Sequence, residues 1–457
     1  MLTIEGDLTS TATADPSILT TSLNLGGAER LLTVAQGTTH PGPGPLSGSQ
    51  TADLQVHGVI SNGSLAKAGP GELLLAGAGL NTYTYTGTTT VREGTIELDK
   101  DPILDTNGAI RGNIVIGDKT GAADTAVIRL LREHQILAAS NEVLVRAPGL
   151  LDLRGNSETI HDLAIAGGRV ATGAGTLIAL GTITVNPSTE VSLDSLTSRI
   201  SGRLDLGGGT RVFNVQNNLL LTTPTDDLDV SAALSNGSWE KIGAGQMVLS
   251  GTASNTLTGT TTVSQGELIL NKDPVLAPDG AIVGDLTIQG GTVQLAANDQ
   301  ILATAGNSVT VYPSGTLDLN GFDDTIELLT MAGGHVVTGT GTLTIASGQV
   351  NHNGSSLSSE ISGNVDLNGA PDFNVGLGTV ADGNDMVVSA VLTNGDVTKS
   401  GSGQLVLSGS NGYTGTTNIN AGTVAIASDS NLGDPSASLA LDGGTLRSTT
   451  TTTVPPC

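Results

Sequence analysis

Aspartates occur in three short clusters that could supply paired carboxylates for acid–base chemistry or oxygen ligands for calcium. The clusters are Asp226-Asp227-x-Asp229, Asp323-Asp324 and Asp382-x-x-Asp385. None of them has the alternating D-x-D-x-D-G spacing of a calcium loop or belongs to a G-G-x-G-x-D repeat. We therefore interpret these aspartates as turn residues that also keep the chain soluble.

Histidine and cysteine offer little for metal binding or nucleophilic catalysis. The histidines show no H-x-x-x-H or Cys/His spacing; they are His40, His57, His134, His161, His335 and His352. Asp299 and Glu327 stand at the positions matched to His134 and His161, so we expect these two histidines to be solvated. Cys457 is the only cysteine and the last residue, which excludes an internal disulfide. We predict no catalytic, cofactor-binding or metal-binding residue, and no cofactor.

Threonines alternate in three segments, which would place each set on one face of a strand. The sets are Thr86, Thr88 and Thr90; Thr258, Thr260 and Thr262; and Thr414 and Thr416. A regular threonine plane could bind ice, but it would need threonine pairs on every turn of the fold. These sets recur only about once per 160 residues. We expect a structural role, because β-branched side chains suit a pleated surface.

Aromatic residues are scarce, at 2% of the chain. Tyr83, Tyr85 and Tyr413 lie at the same place in two matched segments, where the third has Leu257. They could be exposed contact residues. We expect them instead to pack against a neighbouring turn of the fold.

The segments that contain these residues are copies of one pattern. It begins at Lys67 (K-A-G-P-G-E-L-L-L), at Lys241 (K-I-G-A-G-Q-M-V-L) and at Lys399 (K-S-G-S-G-Q-L-V-L). The glycine-rich starts lack the G-K-[ST] ending of a phosphate loop, and their repetition marks them as turns.

The long repeat fixes the predicted organisation of the chain. Leu25, Leu206 and Leu367 lie in matched contexts, with separations of 206 − 25 = 181 and 367 − 206 = 161 residues. We predict the end of a partial unit over 1–66, full units over 67–240 and 241–398, and the start of a partial unit with a Thr/Pro tail over 399–457. All four would belong to one continuous solenoid.

The local pattern predicts an all-β fold. Short alternating segments such as 246–249 and 258–263 are bounded by Gly, Asn and Ser, as in β-strands. The best helical candidate, 127–139, is matched by 292–303, which has strand and turn character. Self-similarity at a fixed period favours a solenoid over a sandwich. With strands ~4.8 Å apart and roughly 22 residues per coil, we expect about 20 coils and a rod on the order of 100 Å.

Insertions locate the expected loops. Ile116 and Ile288 are 172 residues apart, whereas Gln135 and Gln300 are 165 apart, so seven extra residues (172 − 165) lie near 118–125. A surface loop can accept such an insertion, but a core strand cannot. Two further variable segments, 40–45 and 222–229, correspond to 376–385. We expect any binding to reside in these loops.

Charge and hydropathy exclude several classes of function. The net charge of −25 argues against nucleic-acid binding, which needs clustered Lys and Arg. No apolar run reaches the ~18 residues of a membrane span, so we expect no membrane insertion by this chain. The first residues lack the basic and apolar regions of a signal peptide.

The repeated pattern K-x-G-x-G-x-L-x-L-S-G-x-N-x-Y-T-G-T-T-x-V-x-x-G-x-L resembles the passenger-associated repeat of bacterial autotransporters, most closely at 399–426. The segment L-D-L-N-G-F-D-D-T-I (317–326) resembles the one that accompanies the repeat in that family. The resemblance implies a single-stranded right-handed parallel β-helix at a bacterial cell surface or in the extracellular space. The chain shows neither the signal peptide nor the translocating barrel of that family.

The expected function is that of a non-enzymatic stalk, spacer or adhesin segment, whose ligand would be a host, cell-surface or matrix component. One alternative is a fibre subunit that joins end to end through open strand edges. A second is a polysaccharide-active β-helix enzyme. That enzyme would need an acidic-plus-basic cluster in one coil, and no such cluster is evident in the sequence.

Overall fold

The computed structural model describes residues 1–37, 52–77, 85–101, 108–137, 141–187, 197–217, 226–257, 259–369 and 371–449. Their regular structure is almost entirely β, as predicted, with one 3-10 turn at Asp429–Leu432. The region 127–139 is not helical where it is described, and its strand is Ala126–Leu130. No helix in the described ranges is long and apolar enough to cross a membrane.

The chain divides into two compact units. Unit 1 contains Met1–Gly237 with Gly245–Met247, and unit 2 contains Ser238–Ala244 with Val248–Cys457. The strand β27 (Gln246–Leu249) has residues in both.

Unit 1 is built from short strands of two to seven residues. They are β1 (Leu2–Thr3), β2 (Leu8–Ser10), β3 (Ser17–Leu19), β4 (Leu23–Asn24), β5 (Glu29–Val34), β6 (Leu54–Val56), β7 (Ile60–Ser61), β8 (Ser64–Ala68), β9 (Glu72–Gly77), β10 (Thr89–Val91), β11 (Gly94–Lys100), β12 (Ile114–Ile116), β13 (Ala126–Leu130), β14 (Glu142–Arg146), β15 (Gly149–Asp152), β16 (Glu158–Ile160), β17 (Asp162–Ala166), β18 (Arg169–Ala171), β19 (Leu177–Ala179), β20 (Ile183–Val185), β21 (Ser198–Ser201), β22 (Arg203–Asp205), β23 (Thr210–Val215), β24 (Leu228–Val230) and β25 (Ala233–Ser235).

Unit 2 contains several longer strands, which take part in more than one sheet. Its strands are β26 (Ser238–Ile242), β28 (Thr261–Val263), β29 (Glu267–Leu270), β30 (Leu286–Leu295), β31 (Ser308–Asp318), β32 (Asp324–Met331), β33 (Gly334–His352), β34 (Ser359–Gly369), β35 (Asp372–Val375), β36 (Met386–Val388), β37 (Val391–Gly395), β38 (Val397–Ser400), β39 (Gln404–Leu407), β40 (Thr416–Ile419), β41 (Thr423–Ile426), β42 (Ser438–Leu441) and β43 (Thr445–Ser448).

Each unit is a parallel β-solenoid with three sheets. In unit 1 the first sheet runs β2-β5-β8-β10-β12-β14-β17-β20-β23. The second sheet runs β3-β6-β9-β11-β13-β15-β18-β21-β24. The third sheet is shorter and includes β16-β19-β22-β25. Every one of these pairings is parallel, which confirms the predicted fold class.

Unit 2 repeats the same three-sheet plan, and its third sheet includes β32-β33-β34-β37. Its first sheet includes β26-β28-β30-β31-β32 and β33-β35-β38-β40-β42. Its second sheet includes β29-β30-β31-β33-β34-β36-β39-β41-β43. The two units contain about 17 turns in all, against the expected 20 or so. The hand of the coil stays a prediction.

The core consists of aliphatic columns inside the coil. In the first sheet of unit 1, Val91, Ile116 and Val145 pair in successive turns, and all three are fully buried. Side chains on a strand alternate between two faces. One face of these strands therefore stacks aliphatic side chains into the interior.

The seven-residue insertion forms a surface loop, as predicted. Residues 118–123 are exposed and follow β12, whereas in unit 2 the strand β30 continues through the matched position. The register of β30 against β31 shifts between Ile288 and Gly290. The inserted loop of unit 1 (118–125) thus occupies a corner that unit 2 spans with a bulge.

A small apolar cavity lies in the core of unit 2, beside Phe373, Val365 and Leu392. Unit 1 has Leu204 at the position of Val365, since both lie two residues before the matched leucines Leu206 and Leu367. The smaller valine therefore accounts for part of the unfilled space.

We predict that Val365→Leu stabilises unit 2 by up to about 0.8 kcal/mol, the value of one buried methylene. Thermal unfolding followed by circular dichroism would measure the change. The reverse substitution in unit 1, Leu204→Val, should destabilise by about 0.5–1.5 kcal/mol. A lower melting temperature for Val365→Leu would contradict the assignment of the cavity to this residue.

Candidate functional site

The lysine that begins each copy of the repeat lies inside the coil. Lys67 pairs with Leu32 on one side and Val91 on the other, in an otherwise aliphatic column. Lys399 lies likewise between Phe373 and Ile419. Both lysines are fully buried, and so is Lys241. A buried ammonium group is costly unless it is paired or hydrogen-bonded.

Each ammonium group donates to backbone carbonyls of two successive turns. The Nζ atom of Lys67 lies 2.6 Å from the oxygen of Gly69 and 2.9 Å from that of Glu93, one turn further on. Lys241 donates to Gly243 (3.1 Å) and Gln265 (2.9 Å).

The third copy repeats these contacts. Lys399 donates to Gly401 (2.8 Å) and Ala421 (3.2 Å), and also to Ser400 (2.6 Å). In every copy the lysine ties its own turn to the next one.

A buried aspartate precedes each lysine by 14 positions (67 − 53, 241 − 227 and 399 − 385). Asp385 accepts backbone N–H bonds from Gly378 (2.7 Å) in its own turn and from Gln404 (2.8 Å) in the next. Asp53 does the same for Gly37 and Glu72, and Asp227 accepts from Gln246 (2.8 Å). The aspartate therefore binds the turn before the lysine to the turn that contains it.

Together these residues form what we call the Lys–Asp staple: Asp53 with Lys67 in unit 1 and Asp385 with Lys399 in unit 2. Asp227 and Lys241 stand at the matched positions of the middle copy. The staple lies at the corner between the first and second sheets. The glycine two positions after the lysine is required there, because Gly69 has φ +79° and a Cβ atom on it would lie 2.5 Å from the oxygen of Val34. The K-x-G part of the repeat thus encodes one tight corner.

Burial lowers the pKa of Lys67 and of Lys399 to about 8, against the opposing effect of nearby carboxylates such as Asp53 and Asp385. An amine with such a pKa could act as a base or nucleophile. However, both side chains are inaccessible to solvent, and their protons are donated to carbonyl oxygens. These ammonium groups therefore act as hydrogen-bond donors to backbone carbonyl oxygens.

A second buried polar stack lies where the third sheet begins. The backbone of Lys100 exchanges two hydrogen bonds with the amide of Gln135 (2.8 and 2.9 Å), and Glu158 accepts from the backbone of Ile136 and Thr159. Burial raises the pKa of Glu158 to about 8, although these N–H donors oppose the shift.

Unit 2 reproduces this stack with Lys272, Gln300 and Asp324. Gln300 exchanges bonds of 2.8 and 3.0 Å with the backbone of Lys272. Asp324 accepts from the backbone of Gln300, Ile301 and Thr325, and burial raises its pKa to about 7. Gln135 and Gln300, which are matched in the two repeat units, are therefore structural counterparts.

The interpretation of the aspartate clusters as solvated turn residues is wrong for Asp227, Asp324 and Asp385. These three are buried and accept backbone N–H bonds. It holds for Asp323 and Asp382, which are exposed. Backbone hydrogen bonding, chiefly from Asn384, lowers the pKa of Asp382.

The histidines are dispersed. His134 and His161 are partly exposed, as predicted, and His161 lies 2.9 Å from Asp162. His335 pairs with Glu360 (3.2 Å), whereas His352 is buried. His40 and Cys457 lie outside the described residues. The described ranges contain no group of three or more His, Cys, Asp or Glu that could hold a metal ion.

The tyrosines pack inward, which confirms the prediction for two of them. Tyr85 and Tyr413 are fully buried, and their hydroxyls lie 2.8 and 2.7 Å from the hydroxyls of Thr89 and Thr417. Leu257 is buried as well. Tyr83 lies outside the described residues.

Threonines form a longer column than the sequence comparison indicated. In unit 2, Thr262, Thr287, Thr310 and Thr330 pair in four successive turns. The residues two positions before the last three are Asp285, Ser308 and Leu328. These turns therefore carry single threonines, not the pairs that an ice-binding plane would require.

The Lys–Asp staple lies at the base of the long variable loops. The loop of unit 2, 376–385, is exposed over much of its length and ends at buried Asp385. The corresponding segments 40–45 and 222–225 lie outside the described residues. Since Asp385 joins Gly378 to its own position, it closes the loop at its base.

Comparison with known proteins matches the three segments that contain the buried lysines to one family model. The passenger-associated-transport-repeat matches residues 65–98, 240–270 and 397–426. This chain carries three passenger-associated-transport-repeats. Each repeat contains one of the buried lysines, Lys67, Lys241 or Lys399.

A curated relative of this chain is the adhesin BmaC autotransporter of Brucella suis biovar 1 (strain 1330). It is 49% identical over 63 residues, which is 14% of this chain and 2% of the adhesin. The similarity therefore concerns a short stretch of a far longer protein.

The sequence indicated the passenger-associated-transport-repeats but not the staple, whose lysines lie within the repeats and whose aspartates precede them. The signal was present: Asp53, Asp227 and Asp385 each stand 14 residues before the repeated lysine, within D-[LM]-x-V. Charged residues are rarely buried unless they are paired. Because these aspartates were expected to be exposed, their role in binding the backbone was not predicted.

We predict that Lys241→Met destabilises the corner by about 2–4 kcal/mol, because it leaves buried carbonyl oxygens without donors. Trp239 is the only tryptophan, is buried, and shares the strand β26 with Lys241. Urea unfolding followed by tryptophan fluorescence reports directly on this site. Lys119→Met, in the exposed inserted loop of unit 1, is the control and should change stability by less than about 0.5 kcal/mol. Unchanged stability of Lys241→Met would show that the ammonium group is dispensable.

Proposed function

We propose that this chain is a non-enzymatic structural segment of an autotransporter passenger, surface-exposed or secreted, that carries variable loops to a ligand. The passenger-associated-transport-repeats and the stretch shared with an adhesin support this proposal. The finer assignment as stalk, spacer or adhesin belongs to the proposal. End-to-end association also stays a prediction.

The observation that supports this proposal best is that the buried charged groups bind the backbone. At each repeat the lysine and aspartate are bonded to the backbone of adjacent turns, as at Lys399 and Asp385. These groups stabilise the coil and are not directed toward an open cleft. A scaffold of this kind needs no chemistry of its own, and its recognition residues lie on loops.

Two exposed loops are the proposed contact sites. The inserted loop of unit 1 (118–125) is internally ordered, with Asp118 accepting bonds from the backbone and hydroxyl of Thr120, and Asp124 paired with Arg169 (2.6 Å). The loop 376–385 of unit 2 presents Leu377, which is 69% exposed. Each is held at its base by the strands around it.

Replacing residues 117–127 with the matched Gln-Gly-Gly-Thr of unit 2 tests this proposal. The exchange should destabilise by about 1–3 kcal/mol, because it replaces buried Ala126 and Val127 of β13 with Gly and Thr, whereas the shortening itself is tolerated. Binding of the full chain to host cells or matrix proteins should fall at least about tenfold if this loop makes the contact. A matched exchange in loop 376–385 tests the second loop. If neither exchange lowers binding, recognition does not reside in these loops.

A second candidate function, polysaccharide hydrolysis, is favoured by one cluster on the outer face of unit 1. Arg129 lies 3.1 Å from Asp152, 3.5 Å from Glu97 and 3.9 Å from Glu72. Burial raises the pKa of Glu97, with Glu72 adding to the shift and Arg129 opposing it. This cluster draws its members from four successive turns, whereas the enzyme considered from the sequence would need an acidic-plus-basic cluster within one coil. Unit 2 has Ile269, Gln294 and Asp318 at the paired positions.

We expect no turnover when the full chain is assayed against neutral and acidic polysaccharides, because Glu97 is buried and Arg129 is already bonded to Asp152. Reducing-sugar release provides the measurement, and Glu97→Gln is the matched variant. Turnover by the wild-type chain that Glu97→Gln abolishes would replace the structural proposal with the enzymatic one.

A further inference from the structure

One histidine occupies an aliphatic core position in unit 2. His352 pairs with Met331 in the preceding turn and with Val375 in the following one, and it is only 2% exposed. In unit 1 the matched column reads Ile165, Val185 and Val215. His352 therefore replaces a valine in an otherwise apolar column.

The ring of His352 is unusual because neither nitrogen has a hydrogen-bond partner among the described residues. By contrast, His134, His161 and His335 are 39–49% exposed, and each lies beside a carboxylate. A buried imidazole without partners favours the neutral form, because burial penalises its charged form. Burial indeed lowers the pKa of His352.

Two charged groups act on the ring of His352 with opposite sign. Asp385 favours the protonated ring, whereas Lys399 opposes it. Both oxygens of Asp385 already accept backbone N–H bonds. Met331 and Val375, the paired neighbours of His352, carry no charge. Asp372 in β35 raises the pKa of Lys399 and accepts a bond from Ser400 (2.8 Å).

The position of His352 links the ring to loop 376–385. The backbone oxygen of His352 accepts a bond of 2.9 Å from Gly376, the first residue of that loop. Asp385, at the end of the loop, is one of the two charged groups near the ring. Any opening that lets water reach the imidazole therefore disturbs both ends of the loop.

We propose that His352 is an acid-sensitive switch: protonation of its ring opens the turns around β33 and β35 and releases loop 376–385. The inference does not depend on the proposed function, since it concerns the stability of one segment. In the open segment the ring titrates near pH 6.5, whereas the closed segment resists protonation. The closed state is therefore most stable above pH 6.5 and loses stability as the pH falls below it.

Hydrogen exchange of the full chain at pH 7.5 and pH 5.5, corrected for intrinsic exchange rates, tests this switch. Peptides covering 349–353 and 372–378 should show an opening equilibrium that is up to about tenfold larger at pH 5.5, one factor of ten per pH unit below 6.5. In His352→Val the same peptides should change less than about twofold. Equal acid-induced opening in the wild type and His352→Val, or none in the wild type, would overturn the proposal.

Two further variants test the proposal even if His352→Val does not fold. Val185→His places the same residue at the matched core position of unit 1, and acid should then open peptides covering 183–185 and 213–215. His335→Val removes an exposed histidine and should retain the wild-type response. If His335→Val abolished the acid response, the switch would belong to His335 and the proposal for His352 would be overturned.

Discussion

The structure depends on satisfying backbone polar groups where a parallel coil turns a corner. Between corners, the ladder of parallel strands pairs N–H and C=O groups turn by turn. At the corner between the first and second sheets the chain bends inward, and carbonyl oxygens and N–H groups face the interior. An unpaired buried backbone group costs about as much as a lost hydrogen bond. The Lys–Asp staple supplies donors through Lys67 and Lys399, and acceptors through the paired aspartates.

This constraint explains why charge is retained in the core of a passenger-associated-transport-repeat. The staple joins three successive turns, because the aspartate bonds to the turn before the lysine and the lysine to the turn after it. A loop of variable length can then be inserted before the aspartate without disturbing the next turn. At Asp385 one carboxylate closes the loop and holds Gln404 of the following turn. Loop variation and coil stability are thereby separated.

Much of the fold could be predicted from the sequence, because it rests on local periodicity and repetition. The β-solenoid and the surface position of residues 118–123 followed from matched copies, whereas the parallel arrangement of the strands was implied by the family resemblance. The staple could not be predicted in the same way. A charged residue in a turn is exposed far more often than buried, and only tertiary pairing showed that Asp385 and Lys399 point inward. The cluster around Arg129 was missed because its members come from four separate turns.

The most direct test of the staple is amide hydrogen exchange in Asp385→Ala, with the exposed Asp382→Ala as control. If Asp385 holds two turns together by accepting their backbone N–H bonds, its removal should lower the exchange protection of the amides of Gly378 and Gln404 at least about tenfold. This change is equivalent to the loss of one charge-assisted hydrogen bond. Amides of unit 1 should keep their protection, and Asp382→Ala should leave Gln404 unchanged. Unaltered protection of Gly378 and Gln404 in Asp385→Ala would contradict the central claim that buried charge in this coil serves its backbone.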